Sequence, residues 1–265
     1  MKNLYLRDAS VLISKSEIHY SNNLVRLKEA FKICSNCKLN VQITISKSHF
    51  LKNYNNIKNE ILKNLNKVNA ITIHLTTSYN NLFSYDNETR IFTKKFIGLM
   101  KKVRGKIVGI CVHPDHVRSW KYLKKLKTNY NYLAIEVTDR KARYGNKISH
   151  LKSLIKEYKF LKIVADTSHI KELAENKMMN FEDFYIQFKD FIIEAQISDF
   201  GNYYKSEKIK TTHSLLHLNK DYKIKQQIEI LKKIKNINLV IEGLLPYGKN
   251  RHTLLSKEMK YIKNI

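Results

Sequence analysis

The chain has 265 residues, the usual size of one α/β barrel, and its 43% hydrophobic content excludes wholesale disorder. It has no uninterrupted apolar run long enough for a membrane span. The N-terminus (Met-Lys-Asn-Leu-Tyr-Leu-Arg-Asp) lacks the apolar core of a signal peptide, so a cytoplasmic location is expected. A formal charge of +26, from 49 Lys and Arg against 23 Asp and Glu, creates a long-range positive potential suited to nucleic acid, anionic lipid or phosphorylated small molecules.

Abundant Lys, Asn, Ile and Tyr together are what an AT-rich genome gives, and such drift accounts for many of the lysines. It explains the shortage of acids less well, which leaves nucleic acid as a candidate partner.

Strand-like apolar runs recur along the chain with Lys-rich helical segments between them. The first lies near Leu4-Tyr-Leu6 or at Val11-Leu-Ile13. The next are Val41–Ile45, Ala70–His74, Lys106–Val112 and Tyr132–Glu136, followed by Leu161–Asp166, Phe191–Ile197 and Leu239–Glu242. Between them, Leu24, Leu27, Ala30 and Phe31 have helical spacing, as do Ile57, Ile61, Leu62 and Leu65, and Leu151, Leu154, Ile155 and Tyr158. Asn180 precedes Phe181-Glu-Asp183 like a helix N-cap with acids in the first turn. Pro114 and Pro246 fall where strands must stop. Eight alternating βα units predict an α/β fold, a closed (β/α)8 TIM barrel, and the absence of a linker or composition break predicts a single domain over 1–265. Cys34 and Cys37 have CxxC spacing, but no second CxxC completes a zinc site, which favours ordinary cysteines at a helix end over a redox pair.

The strand ends are chemically uneven. In order they offer His74, His113-Pro-Asp115-His116, Glu136, Asp166 with His169, Gln196 with Asp199, then His213 and His217, and finally Glu242. Glu136, Asp166 and Glu242 each end an apolar run, where burial is costly unless the carboxylate is paired or bound to a metal. Gathered at one barrel mouth, the three would repel one another, and a divalent cation would relieve the repulsion. A lysine partner for each is the plain alternative. Lys205, Lys208 and Lys249 are candidates to hold a phosphate or another anionic group.

The order Ile-Glu136, Val-Ala-Asp166-Thr-Ser-His169, Gln196-Ile-Ser-Asp199, His213 and Val-Ile-Glu242 resembles the xylose isomerase-like superfamily of TIM barrels. That superfamily includes the sugar phosphate isomerases and epimerases and the endonuclease IV type of apurinic-site nuclease. The resemblance spans His74 to Glu242 and is strongest from Tyr132 to Asp199. In the isomerase branch it implies a divalent metal (Mn, Mg or Zn) held by Glu136, Asp166, Gln196 and Glu242. Glu136 and Glu242 would pass a proton between adjacent carbons of a sugar or sugar phosphate, and His74, His169 and His213 would bind substrate. The departure is Gln196 where the family has His, which moves the expectation toward magnesium or manganese, or toward a non-catalytic member; His213 could supply the missing imidazole.

In the nuclease branch, Asp166-Thr-Ser-His169 is close to the family's Asp-Thr-Cys-His. Thr211–His217 lacks the Asp of its Asp-Arg-His run, and Ser46 stands where a His is usual, so a complete trinuclear zinc cluster is not expected. The isomerase or epimerase reading ranks first on the sequence, ahead of an endonuclease IV-like or DNA-binding barrel and a degenerate, non-catalytic barrel. Oligomeric state is open.

Overall fold

A computed structural model describes residues 3–11, 24–76, 82–124, 131–202, 210–246, 248 and 250–265. Of the sequence expectations, Leu12 and Ile13 of the alternative first strand, and Lys205, Lys208 and Lys249, lie outside the described residues.

Strands β1 (Leu4–Arg7), β2 (Asn40–Ser46), β3 (Ile71–Thr76), β4 (Ile107–Val112), β5 (Tyr132–Glu136), β6 (Leu161–Asp166) and β7 (Ile192–Ile197) pair in sequence order. After the hairpin β8 (Asp199–Asn202) and β9 (Lys210–Ser214), β10 (Asn238–Ile241) closes the ring between β7 and β1. Every barrel pairing is parallel, so the fold is the (β/α)8 TIM barrel that the apolar runs predict, with Leu4–Leu6 in the first strand. The outer layer is α1 (Leu24–Cys37), α2 (Lys47–Asn64), α3 (Asn87–Lys102), α4 (Trp120–Lys124), α5 (Ile148–Glu157), α6 (Thr167–Glu175), α7 (Phe181–Phe188), α8 (Leu216–Asn219), α9 (Tyr222–Leu231) and α10 (Arg251–Asn264).

The local chemistry sets the element starts. Asp86, Asp166, Asn180 and Asp221 each accept a hydrogen bond from a backbone N–H of the first turn they precede, capping α3, α6, α7 and α9. Between strands and helices lies a continuous apolar layer. Ile43, Ile73, Ile110, Ile135 and Ile163 meet Phe31, Phe50, Phe92, Phe96 and Phe184, all of them buried. Fully burying each such side chain stabilises the fold by about 1.5–3 kcal/mol.

Because side chains alternate along a strand, the other face of each strand fills the barrel lumen. That face is polar here: Arg7, Gln42, Thr44, Thr72, His74, Glu136, Asp166, Glu194, Gln196, Asn238 and Glu242 are all buried. The β8–β9 hairpin, which the sequence reading did not anticipate, folds over the carboxyl end of β7. It is held by Lys171, which pairs with Asp199 (3.0 Å) and Asp221 (2.9 Å), and it carries His213. No helix among the described residues is long and apolar enough to cross a membrane.

Candidate metal centre at the barrel mouth

The carboxyl ends of β3 to β7 and β10 bring the singled-out residues to one rim. Glu136 is the last residue of β5, Asp166 the last of β6, and Glu242 directly follows β10. Among the described residues, none of the three is tied to a lysine. Glu136 lies between imidazoles: His74 Nε2 is 2.9 Å from its Oε2, and His113 Nε2 is 3.2 Å from its Oε1. The His169 ring is held by a 2.8 Å hydrogen bond from Nδ1 to the Val137 carbonyl. That nitrogen is 3.7 Å from Glu136 Oε1 and 3.5 Å from Asp166 Oδ2.

Asp166 divides its work between two oxygens. Oδ1 accepts from the Ser168 N–H (2.8 Å), the Ser168 hydroxyl (2.7 Å) and the His169 N–H (3.0 Å), capping α6. Oδ2 is buried and accepts no hydrogen bond. On the hairpin side, His213 Nδ1 bonds the Ser198 hydroxyl at 3.0 Å and lies 3.6 Å from Glu242 Oε2. His217, the other histidine of that segment, is instead bound to Glu258 at 2.7 Å and belongs to the packing of α10.

One central residue escaped the sequence reading. Arg7, at the end of β1, is buried against Glu242 Oε1 and also donates to His74 Nδ1. Accepting at Nδ1 leaves the His74 ring proton on Nε2, aimed at Glu136, so a neutral His74 still donates to that carboxylate. Burial and the Arg7 charge together push His74 down to about 3. Burial works against ionised Glu136, but the His113 and His74 imidazoles outweigh it and hold the carboxyl well below the usual range. Asp166 is raised by burial and by the Glu136 charge. Burial opposes a charge on His169, yet Asp166 and Glu136 overcome it and raise that imidazole. His213 is lowered by burial and by the His169 and Arg7 charges, and is therefore neutral, the form that binds metals.

Among the described residues, three buried groups could each hold an ion, their ligand atoms lying within 4.8 Å of one another: His74–Cys111–Glu136, Glu136–Asp166–His169 and Asp166–His213–Glu242; a fourth, partly buried group is His113–Asp115–His116. Cys111 was not singled out from the sequence. The donor set fits a divalent ion on one further ground. Asp166 Oδ2, Gln196 Oε1 and Glu242 Oε2 are buried acceptors without a hydrogen-bond donor. Each unsatisfied buried group costs about 1–3 kcal/mol, a cost that a bound cation removes.

No protein-family model matches the chain, and no curated protein matches it. Its fold does match solved structures. An AP endonuclease, family 2, from Brucella melitensis aligns with TM-score 0.64 and 8% identity over 98% of this chain and 99% of that one. A D-psicose 3-epimerase with D-tagatose from Clostridium cellulolyticum aligns with TM-score 0.59 and 12% identity over 99% and 97%. A xylose isomerase-like TIM barrel protein from Mycobacterium smegmatis in complex with magnesium gives TM-score 0.55 and 10% identity over 94% and 89%. The chain shares the TIM-barrel fold of these proteins.

Proposed function

We propose that the chain is a divalent-metal-dependent phosphoesterase that cuts a nucleic-acid backbone. The observation that carries this reading is the linkage of the three ligand groups. The first shares Glu136 with the second, and the second shares Asp166 with the third. Carboxylates common to adjacent groups would suit more than one divalent ion, the arrangement used for in-line displacement at phosphorus. Bound there, such ions supply an activated water and neutralise charge at the phosphoryl oxygens.

The chain's own residues do the rest. Glu136, an acceptor at both oxygens and held ionised by its imidazoles, is suited to be a ligand. His169, in reach of both carboxylates, would complete the second group as a neutral imidazole. The net charge of +26 draws in a polyanion.

A metal-dependent sugar isomerase or epimerase is the second reading. It is favoured by the unpartnered oxygens of Asp166, Gln196 and Glu242, which suit a single hard ion such as Mg²⁺ or Mn²⁺. That mechanism asks Glu136 and Glu242 to shuttle a carbon-bound proton. Glu136 is held well below the usual carboxylate range, which makes it a weak proton acceptor, and one Glu242 oxygen is paired with Arg7, so this reading ranks below the first.

The test is to strip the purified protein with a chelator, reload it with Mg²⁺, Mn²⁺ or Zn²⁺, and offer duplex DNA with and without an abasic site, alongside free ketohexoses. Metal-dependent strand cleavage that weakens steeply with salt is expected. Epimerised ketohexose without cleavage would replace this reading by the second. Inertness toward both substrates in a folded, metal-loaded protein would defeat both.

A further inference from the structure

Resting on the metal-centre reading above, we propose that Cys111 is a thiolate ligand of an ion at the His74–Glu136 end of the site, with Gln196 as the hydrogen-bond donor to its sulfur. Cys111 lies in β4, in register with His74 of β3 and Ala134 of β5, and its side chain is buried in the lumen. Its Sγ is 3.4 Å from Glu136 Oε2, and it forms with His74 and Glu136 a fully buried group of three ligand types. The Gln196 amide donates to the same sulfur from Nε2 at 4.0 Å. The other cysteines are placed elsewhere: Cys34 donates to the Asn40 carbonyl, and Cys37 is half-buried at the end of α1.

This arrangement gives Gln196 a role beyond that of an imperfect stand-in for histidine. A metal-bound thiolate is stabilised by an N–H directed at its sulfur, and an amide supplies one. With Nε2 committed to Cys111, the unpartnered Oε1 is the amide atom left for the oxygen-rich Asp166–Glu242 side. The two ends of the site therefore differ in preference. A thiolate beside one carboxylate favours Zn²⁺ or Co²⁺, whereas carboxylates and an amide oxygen favour Mg²⁺ or Mn²⁺. Loading the first end transfers the thiol proton to solvent.

Cobalt reads this directly, without any turnover. The full-length chain, stripped and reloaded with Co²⁺, is expected to show a near-ultraviolet thiolate-to-cobalt charge-transfer band beside the weaker visible ligand-field bands. Cys111→Ser should lose the charge-transfer band, keep the ligand-field bands and its circular dichroism, and bind Zn²⁺ more weakly. The Cys34→Ser/Cys37→Ser double variant should keep the band. Gln196→Leu should keep the band but weaken Zn²⁺ binding by roughly ten- to a hundredfold, as loss of an outer partner does. Ligand-field bands without charge transfer in the parent chain, or a band that survives Cys111→Ser, would overturn the assignment while leaving the metal centre standing. Absence of any cobalt spectrum would remove both.

Discussion

The barrel lumen has two polar layers, and they are finished differently. The layer toward the strand starts is closed on itself: Tyr132 OH donates to Glu194 Oε2 at 2.7 Å, Gln42 Nε2 to Glu194 Oε1 at 2.8 Å, and Asn238 Nδ2 to Tyr132 OH at 3.0 Å. Gly109 makes room for it, since a Cβ there would lie 2.1 Å from the Tyr132 ring. The layer at the carboxyl ends is left open, with orphaned oxygens on Asp166, Gln196 and Glu242; below it, among the described residues, Gln42 Oε1 and Thr72 Oγ1 lack a partner. Equal burial thus hides opposite purposes. A satisfied buried network rigidifies and specifies packing, whereas a row of unsatisfied acceptors of one polarity is what a cation would complete.

The largest expected effect separates the layers by function. Asp166→Asn keeps the Oδ1 cap and replaces the orphaned Oδ2 with an amide NH₂, which cannot bind a cation. Loss of an outer partner alone costs a metal site about ten- to a hundredfold, so removal of a ligand should cut metal-dependent activity at least about a hundredfold. The thermal midpoint without metal should barely change. Saturating Mn²⁺ should stabilise the parent chain by about 2.7 kcal/mol at a hundred times its Kd, and this increment should vanish in Asp166→Asn. The same increment surviving in the variant would break the comparison.

The next effect belongs to the closed layer. Burial, reinforced by the Glu136 charge, raises Glu194 to about 7 from an ordinary 4.5. The folded state therefore holds this proton more tightly than the unfolded state does. Its contribution to stability is fully present below about pH 4.5 and is lost as the pH rises through about 7. At about 1.36 kcal/mol per unit, the loss is roughly 3 kcal/mol. Glu194→Gln should flatten this segment of the stability profile, followed by urea midpoints from pH 4 to 8, and leave the Mn²⁺ increment intact. A profile unchanged by the substitution would refute the assignment.

Much of this architecture is legible in the amino-acid order, and the exceptions have physical reasons. Seven of the eight barrel strands are short apolar runs flanked by Lys-rich helical spacing, a signal strong enough to place each of them, whereas the residue pattern leaves the first between Leu4–Leu6 and Val11–Ile13. Glu136, Asp166 and Glu242 stand out because a carboxylate ending an apolar run is expensive. Arg7 does not stand out: β1 is only Leu-Tyr-Leu-Arg, and one arginine is lost among 49 basic residues. Glu194 left a weak signal, since Glu194 and Gln196 are two apart on one strand and so share the lumen face. Its partners, Tyr132 and Gln42, come from distant strands, and only closure of the ring brings them together. His213 reaches the mouth through a hairpin whose strands lack a long apolar run, so its position depends on tertiary contacts such as those of Lys171.

Gly109→Ala tests the closed layer mechanically. The added methyl would meet the Tyr132 ring, which must move and loosen its bond to Glu194. Overpacking of this kind costs about 1–3 kcal/mol. In a Tyr132→Leu background the same substitution should cost measurably less, a coupling that a double-mutant cycle of denaturation midpoints resolves. Equal costs in both backgrounds would place the strain elsewhere.

The smallest effect lies within one residue that belongs to both layers of explanation. Asp166 Oδ1 holds the first turn of α6 through Ser168 and His169, while Oδ2 accepts no hydrogen bond. Asp166→Ala removes both oxygens and Asp166→Asn only the second function. The two variants should therefore bind metal equally badly yet differ in stability by about 1 kcal/mol, the worth of an N-cap. Thermal melts of the two metal-free variants check this. Indistinguishable melts would mean that the cap is dispensable and that Asp166 is held in place chiefly by the charges around Glu136 and His169.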